Sequence, residues 1–141
     1  MTVLDTNVLS EFMRPVPHDA VTRWFASQTS EELLLTAVTM AEVLYGIEIL
    51  PAGKKRDALR LRAQKLFDGV YAGRILPFDD GAARQFGLLT AARRKAGRPI
   101  EKLDGQIAAI ARAHGAVLAT RNTADFEGCG VKLVDPWQNR L

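Results

Sequence analysis

The chain has 141 residues, 48% of them hydrophobic, and a formal net charge of +3. That suits one α/β-sized domain, expected over residues 1–141, and excludes a disordered chain. One cysteine (Cys129) and two histidines exclude an internal disulfide and leave a structural zinc site without ligands, so a metal here must be held by oxygen.

Val3-Leu4 opens a first strand that runs directly into polar Asp5-Thr6-Asn7. No signal-peptide pattern precedes it, and no apolar run reaches the roughly 20 residues of a membrane helix. The expectation is a cytoplasmic protein without membrane attachment. Asn7 or Thr6 is expected to cap a short helix through Phe12, closed by Arg14-Pro15. Val21, Trp24 and Phe25 give helical spacing ending near Ser27. Leu33 to Thr36 reads as a buried strand, and Val38 to Leu50 as a helix with Met40, Val43, Leu44 and Ile47 on its core stripe. After Pro51-Ala52-Gly53, another helix should bury Leu59, Ala63, Leu66, Phe67 and Val70. Arg74 to Pro77 is a short strand. Asp79 or Asp80 starts a helix that ends at Gly97, and Arg98-Pro99 breaks the chain. Leu103 to Ala113 is a small-residue helix, Ala116 to Thr120 a strand, and Val131 to Val134 a last strand. Strands alternating with helices predict a mainly parallel sheet covered on both faces, with its site beyond the carboxyl ends of the strands.

Several acids fall at such places. Asp5 directly follows the first strand. An N-cap role is possible, but Thr6 and Asn7 are nearer the expected helix. Glu42 completes Thr39-Met40-Ala41-Glu42, the pattern of a capping box. However, Tyr45, Gly46 and Ile49 share its face and no cation lies a turn away. A shielded carboxylate of that kind needs a distant cation or a metal. Asp104 opens the small-residue helix, where an acid suits the helix dipole. It is followed by Gly105, a residue costly inside a helix unless backbone must pass close to something. Asn122 and Asp125 follow the late strand. Like charges crowded at one sheet edge call for a counter-ion, and hard carboxylate oxygens suit Mg²⁺ or Mn²⁺. Such ions support phosphodiester chemistry.

These blocks, namely Val3 to Asn7, Thr39 to Gly46, Asp104 to Ala109, and Ala119 to Asn122 with Asp125-Phe126, resemble the PIN-domain nucleases. Within them the chain is similar to VapC-type toxins of bacterial toxin–antitoxin pairs, in the FitB-like branch. Gly73 to Phe78 and Asp135-Pro136-Trp137 extend the likeness nearly end to end. The resemblance implies a three-layer α/β/α fold, a Mg²⁺ or Mn²⁺ site, and cleavage of single-stranded or structured RNA such as tRNA or rRNA. It also implies a homodimer and a cognate antitoxin partner. Carried over singly, Asp5 and Asp104 fall on metal ligands, Glu42 on the helix glutamate, and Thr6 and Thr120 on supporting hydroxyls, with Asn7 beside them. Many relatives have Thr-Arg-Asp where this chain has Thr120-Arg121-Asn122. The fourth acid can then be Asp125, with Asn122 a neutral ligand or a hydrogen-bond partner.

Basic residues gather on two helices. Lys54, Lys55 and Arg56 lie on one, Arg93 and Arg94 on the other with Arg98 just beyond it. They read either as solvated helix faces or as a phosphate track towards the acids. An aspartyl-phosphate hydrolase would need a second Asp where Asn7 stands, and no nucleotide-binding glycine loop follows any strand. The non-enzymatic alternative is a catalytically silent PIN-like scaffold that binds RNA or a partner.

Overall fold

The computed structural model describes residues 1–138, so residues 139–141 of the expected domain lie outside the described residues. The chain runs β1 (Thr2–Leu4), α1 (Thr6–Phe12), α2 (Asp19–Ala26), β2 (Leu33–Thr36), α3 (Ala37–Glu48), α4 (Lys54–Lys65), β3 (Ile75–Leu76), α5 (Asp80–Lys95), α6 (Lys102–Ala113), β4 (Val117–Ala119) and β5 (Leu133–Val134). A turn of π-helix over Leu66–Val70 continues α4, and a 3₁₀ turn over Thr123–Phe126 lies between β4 and β5.

The strands form one five-stranded sheet in the order β3-β2-β1-β4-β5. Every pairing is parallel, so the sheet is wholly and not just mainly parallel. Alternation along the strands divides the core in two. Val3, Leu34 and Leu118 join α5 and α6 on one face, around Leu89, Ile107 and Ile110. Leu4, Leu33, Leu35 and Ala119 join α1, α2 and α4 on the other, around Val8, Leu9, Trp24 and Phe67. Strands buried on both faces explain why they read as unbroken apolar runs.

The chain builds outward from β1 through β2 to β3, then returns to the opposite side of β1 as β4 and β5. The strand order therefore reverses between β1 and β4, where the Asp5 N–H donates to the Ala119 carbonyl at 2.9 Å. At such a reversal the connections leave the sheet in opposite directions and open a crevice at the strands' carboxyl ends.

Several boundaries and faces differ from expectation. Asp5, not Thr6 or Asn7, caps α1, because its carboxylate already accepts the Thr6 N–H. Leu44 and Val70 are 39% and 58% exposed and do not belong to the core stripes. On α3 the buried positions are Val38, Thr39, Val43 and Ile47, a stripe rotated away from Leu44. The α5 boundaries match closely: Asp79 caps its start by accepting the Ala82 N–H, and Gly97 takes a positive φ of 74° after its end.

Candidate active site

Asp5 leaves the end of β1 buried, with one carboxylate oxygen accepting the Thr6 N–H at 2.8 Å and the other the Thr120 hydroxyl at 2.8 Å. The Thr120 hydroxyl also accepts the Asn122 N–H at 3.1 Å. Asn7 Oδ1 accepts the Arg121 N–H at 3.3 Å, which ties the turn after β1 to the loop after β4.

Glu42 reaches the same edge from α3. The capping-box reading of it fails. α3 begins at Ala37, and its cap is Thr36, whose hydroxyl accepts the Thr39 N–H at 3.0 Å. Glu42 instead accepts the Thr6 hydroxyl at 2.8 Å. Thr6 has one hydroxyl proton, so the 3.0 Å contact between Thr6 and Thr39 must carry the Thr39 proton. A relay of hydroxyls thus joins α3 to the start of α1 and orients Glu42. Thr39 was not among the expected site residues; its sequence signal was masked by the apparent cap.

Asp104 sits in the first turn of α6, where its N–H is capped by the Glu101 carboxylate at 3.1 Å. Gly105 lies where a Cβ would stand 3.1 Å from Phe86 and 3.2 Å from Thr90. The close approach expected of this glycine is therefore packing of α6 on α5, which carries Asp104 in towards the sheet. Among the described residues no hydrogen bond reaches the Asp104 carboxylate. Asp125 stands exposed on the 3₁₀ turn beyond β4. Asn122 is exposed, and among the described residues no hydrogen bond joins its side chain to Asp5.

These acids sense one another. Burial pushes the Asp104 carboxyl from 3.8 up to about 6, reinforced by the charges of Asp5, Glu101, Asp125 and Glu42. Burial also raises Asp5. The Thr120 and Thr6 hydrogen bonds oppose that rise, and the charges of Glu42 and Asp125 add to it. Glu101 was overlooked because a glutamate three residues before an acid looks like surface. Among the described residues, the ion pairs are Arg14–Glu11, Arg60–Glu48, Arg60–Asp57 and Arg98–Glu127. None involves Asp5, Glu42, Asp104 or Asp125, so among the described residues no ion pair neutralises these acids.

The basic residues separate into two groups. Lys54, Lys55 and Arg94 are exposed. Arg56 points back to the Leu50 carbonyl at 3.5 Å. Arg93 is buried, with its guanidinium on the carbonyls of Arg98 and Glu127, which corrects its place in a phosphate track. Arg98 is held against Ala124 and Glu127.

The PIN domain matches residues 2–128. The chain belongs to the PIN-domain family. It is 44% identical to VapC ribonuclease Y4jK of Sinorhizobium fredii over 138 residues, covering 98% of this chain and 99% of that protein. It is 38% identical to toxin FitB of Neisseria gonorrhoeae over 139 residues, covering 99% of this chain and 100% of that one. A solved structure of FitAB bound to a DNA fragment superposes with a TM-score of 0.93 at 38% identity, over 100% of this chain and 99% of that one.

Proposed function

We propose that this PIN-domain chain is a Mg²⁺-dependent endoribonuclease, with Mn²⁺ a workable substitute, acting on single-stranded or structured RNA of the tRNA or rRNA kind. In this reading it is the toxin of a toxin–antitoxin pair, held in check by a cognate antitoxin, and works in the cytoplasm as a homodimer. The observation that carries the reading is the acid cluster at the β1/β4 reversal. Carboxylates at the end of β1, on α3, on α6 and in the loop after β4 stand close enough that the charges of Asp5, Asp125 and Glu42 add to the burial that lifts Asp104 to about 6, and none of the four is ion-paired among the described residues. The names of the relatives, a VapC ribonuclease and the FitB toxin, support both the chemistry and the pairing with an antitoxin.

The donor set fits a hard divalent cation. All the donors are carboxylate or hydroxyl oxygens. Among the described residues no three of the acids converge closely enough to enclose an ion. Mg²⁺, which keeps several waters of its own shell, suits such an open arrangement. Asp5 and Asp104 would hold the ion, with Glu42 and Asp125 completing its surroundings. Bound there, it would supply a water of lowered pKa and neutralise charge on the phosphate. Thr120 and Thr6 keep Asp5 and Glu42 in fixed rotamers, so the carboxylates need little reorganisation when the substrate arrives. Neither His18, which caps α2 through its ring, nor exposed His114 stands at the cluster, so a histidine general base has no candidate there.

The test is cleavage of a mixed single-stranded RNA and tRNA pool by purified chain free of antitoxin, with Mg²⁺, with Mn²⁺ and with EDTA, beside Asp5→Asn. Cutting that requires the ion and vanishes in a folded Asp5→Asn protein is expected. Wild-type cutting by that variant, or by wild type in EDTA, would overturn the reading. RNA binding without cutting under every condition would favour the silent scaffold.

A further inference from the structure

The segment between β4 and β5 carries Asp125 on a single 3₁₀ turn, and side chains fasten it from both directions. On its near side, the Thr120 hydroxyl accepts the Asn122 N–H, and the Asn122 carbonyl accepts the Asp125 N–H at 3.0 Å. Beyond Asp125, Phe126 and Cys129 are buried in the core. What grips the backbone around Asp125 itself is a pair of arginines, Arg93 near the end of α5 and Arg98 three residues beyond it. Arg93 is 7% exposed, and its Nε donates to the Arg98 carbonyl at 2.6 Å while its Nη1 donates to the Glu127 carbonyl. Arg98 donates through Nη2 to the Ala124 carbonyl at 3.1 Å and through Nη1 to the Glu127 carboxylate at 3.3 Å. The carbonyl immediately before Asp125 and the one two residues after it are therefore both held by guanidinium groups.

A phosphate track would leave those guanidinium groups free, whereas both are turned onto this loop. The planar fork of arginine holds two acceptors in fixed directions, which a lysine ammonium does not do. We propose that Arg93 and Arg98 are positioning residues, which set the place of Asp125 beside Asp5 and Asp104. Asp125 is exposed and has no strand to hold it, so its distance from the other acids depends on the loop. The charge of Asp125 reaches both Asp5 and Asp104 in the clamped conformation. The inference rests on the reading of these acids as a divalent-cation site.

The experiment measures Mn²⁺ binding to the full chain by calorimetry, without RNA, for wild type, Asp5→Asn, Asp125→Asn, Arg98→Ala, Arg93→Lys and the Asp125→Asn/Arg98→Ala double variant. Melting curves accompany each. Arg98→Ala is expected to weaken Mn²⁺ binding about tenfold, as losing a group that orients a ligand does. Asp125→Asn should do the same, and the double variant should match Asp125→Asn alone, since nothing then remains to be positioned. Arg93→Lys should also weaken binding, because one ammonium cannot serve both carbonyls. Arg98 is half-exposed, so its variant keeps the test open if Arg93→Lys does not fold. Additive losses in the double variant would overturn the proposal, as would wild-type Mn²⁺ affinity in Arg98→Ala or Asp125→Asn. If Asp5→Asn alone abolishes binding while those two match wild type, the positioning role falls and the metal site stands. If Asp5→Asn binds Mn²⁺ normally, both fall.

Discussion

Replacing Asp104 by Asn should make the metal-free protein more stable while removing its activity. The Asp104 carboxyl lies at about 6 instead of 3.8, with burial as the first cause and neighbouring acids behind it. Its folded pKa is raised, so the folded state holds this proton more tightly than the unfolded chain does. The associated stability is full below the unfolded value and is lost as pH rises through about 6. Unscreened, the difference is worth about 3 kcal/mol at neutral pH. The group is only partly buried, and solvent screening reduces this to about 1–2 kcal/mol. No hydrogen bond to the carboxylate is lost among the described residues, so the neutral amide relieves repulsion without breaking a contact. In EDTA at about pH 8 the variant should melt about 3 to 7 °C above wild type for a chain of this size. At about pH 5, between the two values, the gap should shrink to about half, and it should close only as the pH falls below 3.8. Millimolar Mg²⁺ should raise the wild-type melting temperature and leave the variant almost unmoved. Scanning calorimetry at both pH values, with and without Mg²⁺, measures all of this. A variant that melts at or below wild type at about pH 8 in EDTA would refute the picture of crowded, uncompensated carboxylates.

Glu42→Gln keeps an oxygen to accept the Thr6 hydroxyl, so its melting temperature should match wild type while RNA cleavage falls by about 10- to 100-fold. Cleavage at the wild-type rate by this variant would place Glu42 outside the chemistry. Thr120→Val removes the donor to Asp5 and the acceptor of the Asn122 N–H at a fully buried position, and should cost about 1–3 kcal/mol in urea denaturation. Because the Thr120 bond lowers the Asp5 pKa, its loss should move the acidic limb of the pH–rate profile to higher pH. An unmoved limb would mean that Thr120 does not tune Asp5.

The element types, the covered parallel sheet and the candidacy of Asp5, Glu42 and Asp104 were all legible in the residues themselves. Apolar period, helix caps and the position of an acid at the end of a strand are local properties, and the PIN-type blocks are continuous stretches of chain. What Glu42 bonds to was not legible, because Thr39 offers a plausible cap three residues away while the real partner, Thr6, lies 36 residues back. Nor could the sequence separate Arg93 from Arg94. They are adjacent and alike in charge, yet one is buried on loop carbonyls and the other is exposed to solvent. Sequence alone thus determined the family to which the chain belongs and roughly where each element lies. The strand order β3-β2-β1-β4-β5 decided which side chains meet, because it brings the ends of β1 and β4 together across more than a hundred residues. Burial at that junction then raised the pKa of Asp5 and Asp104, and the packing of α5 and the last loop turned Arg93 inward while Arg94 faces solvent.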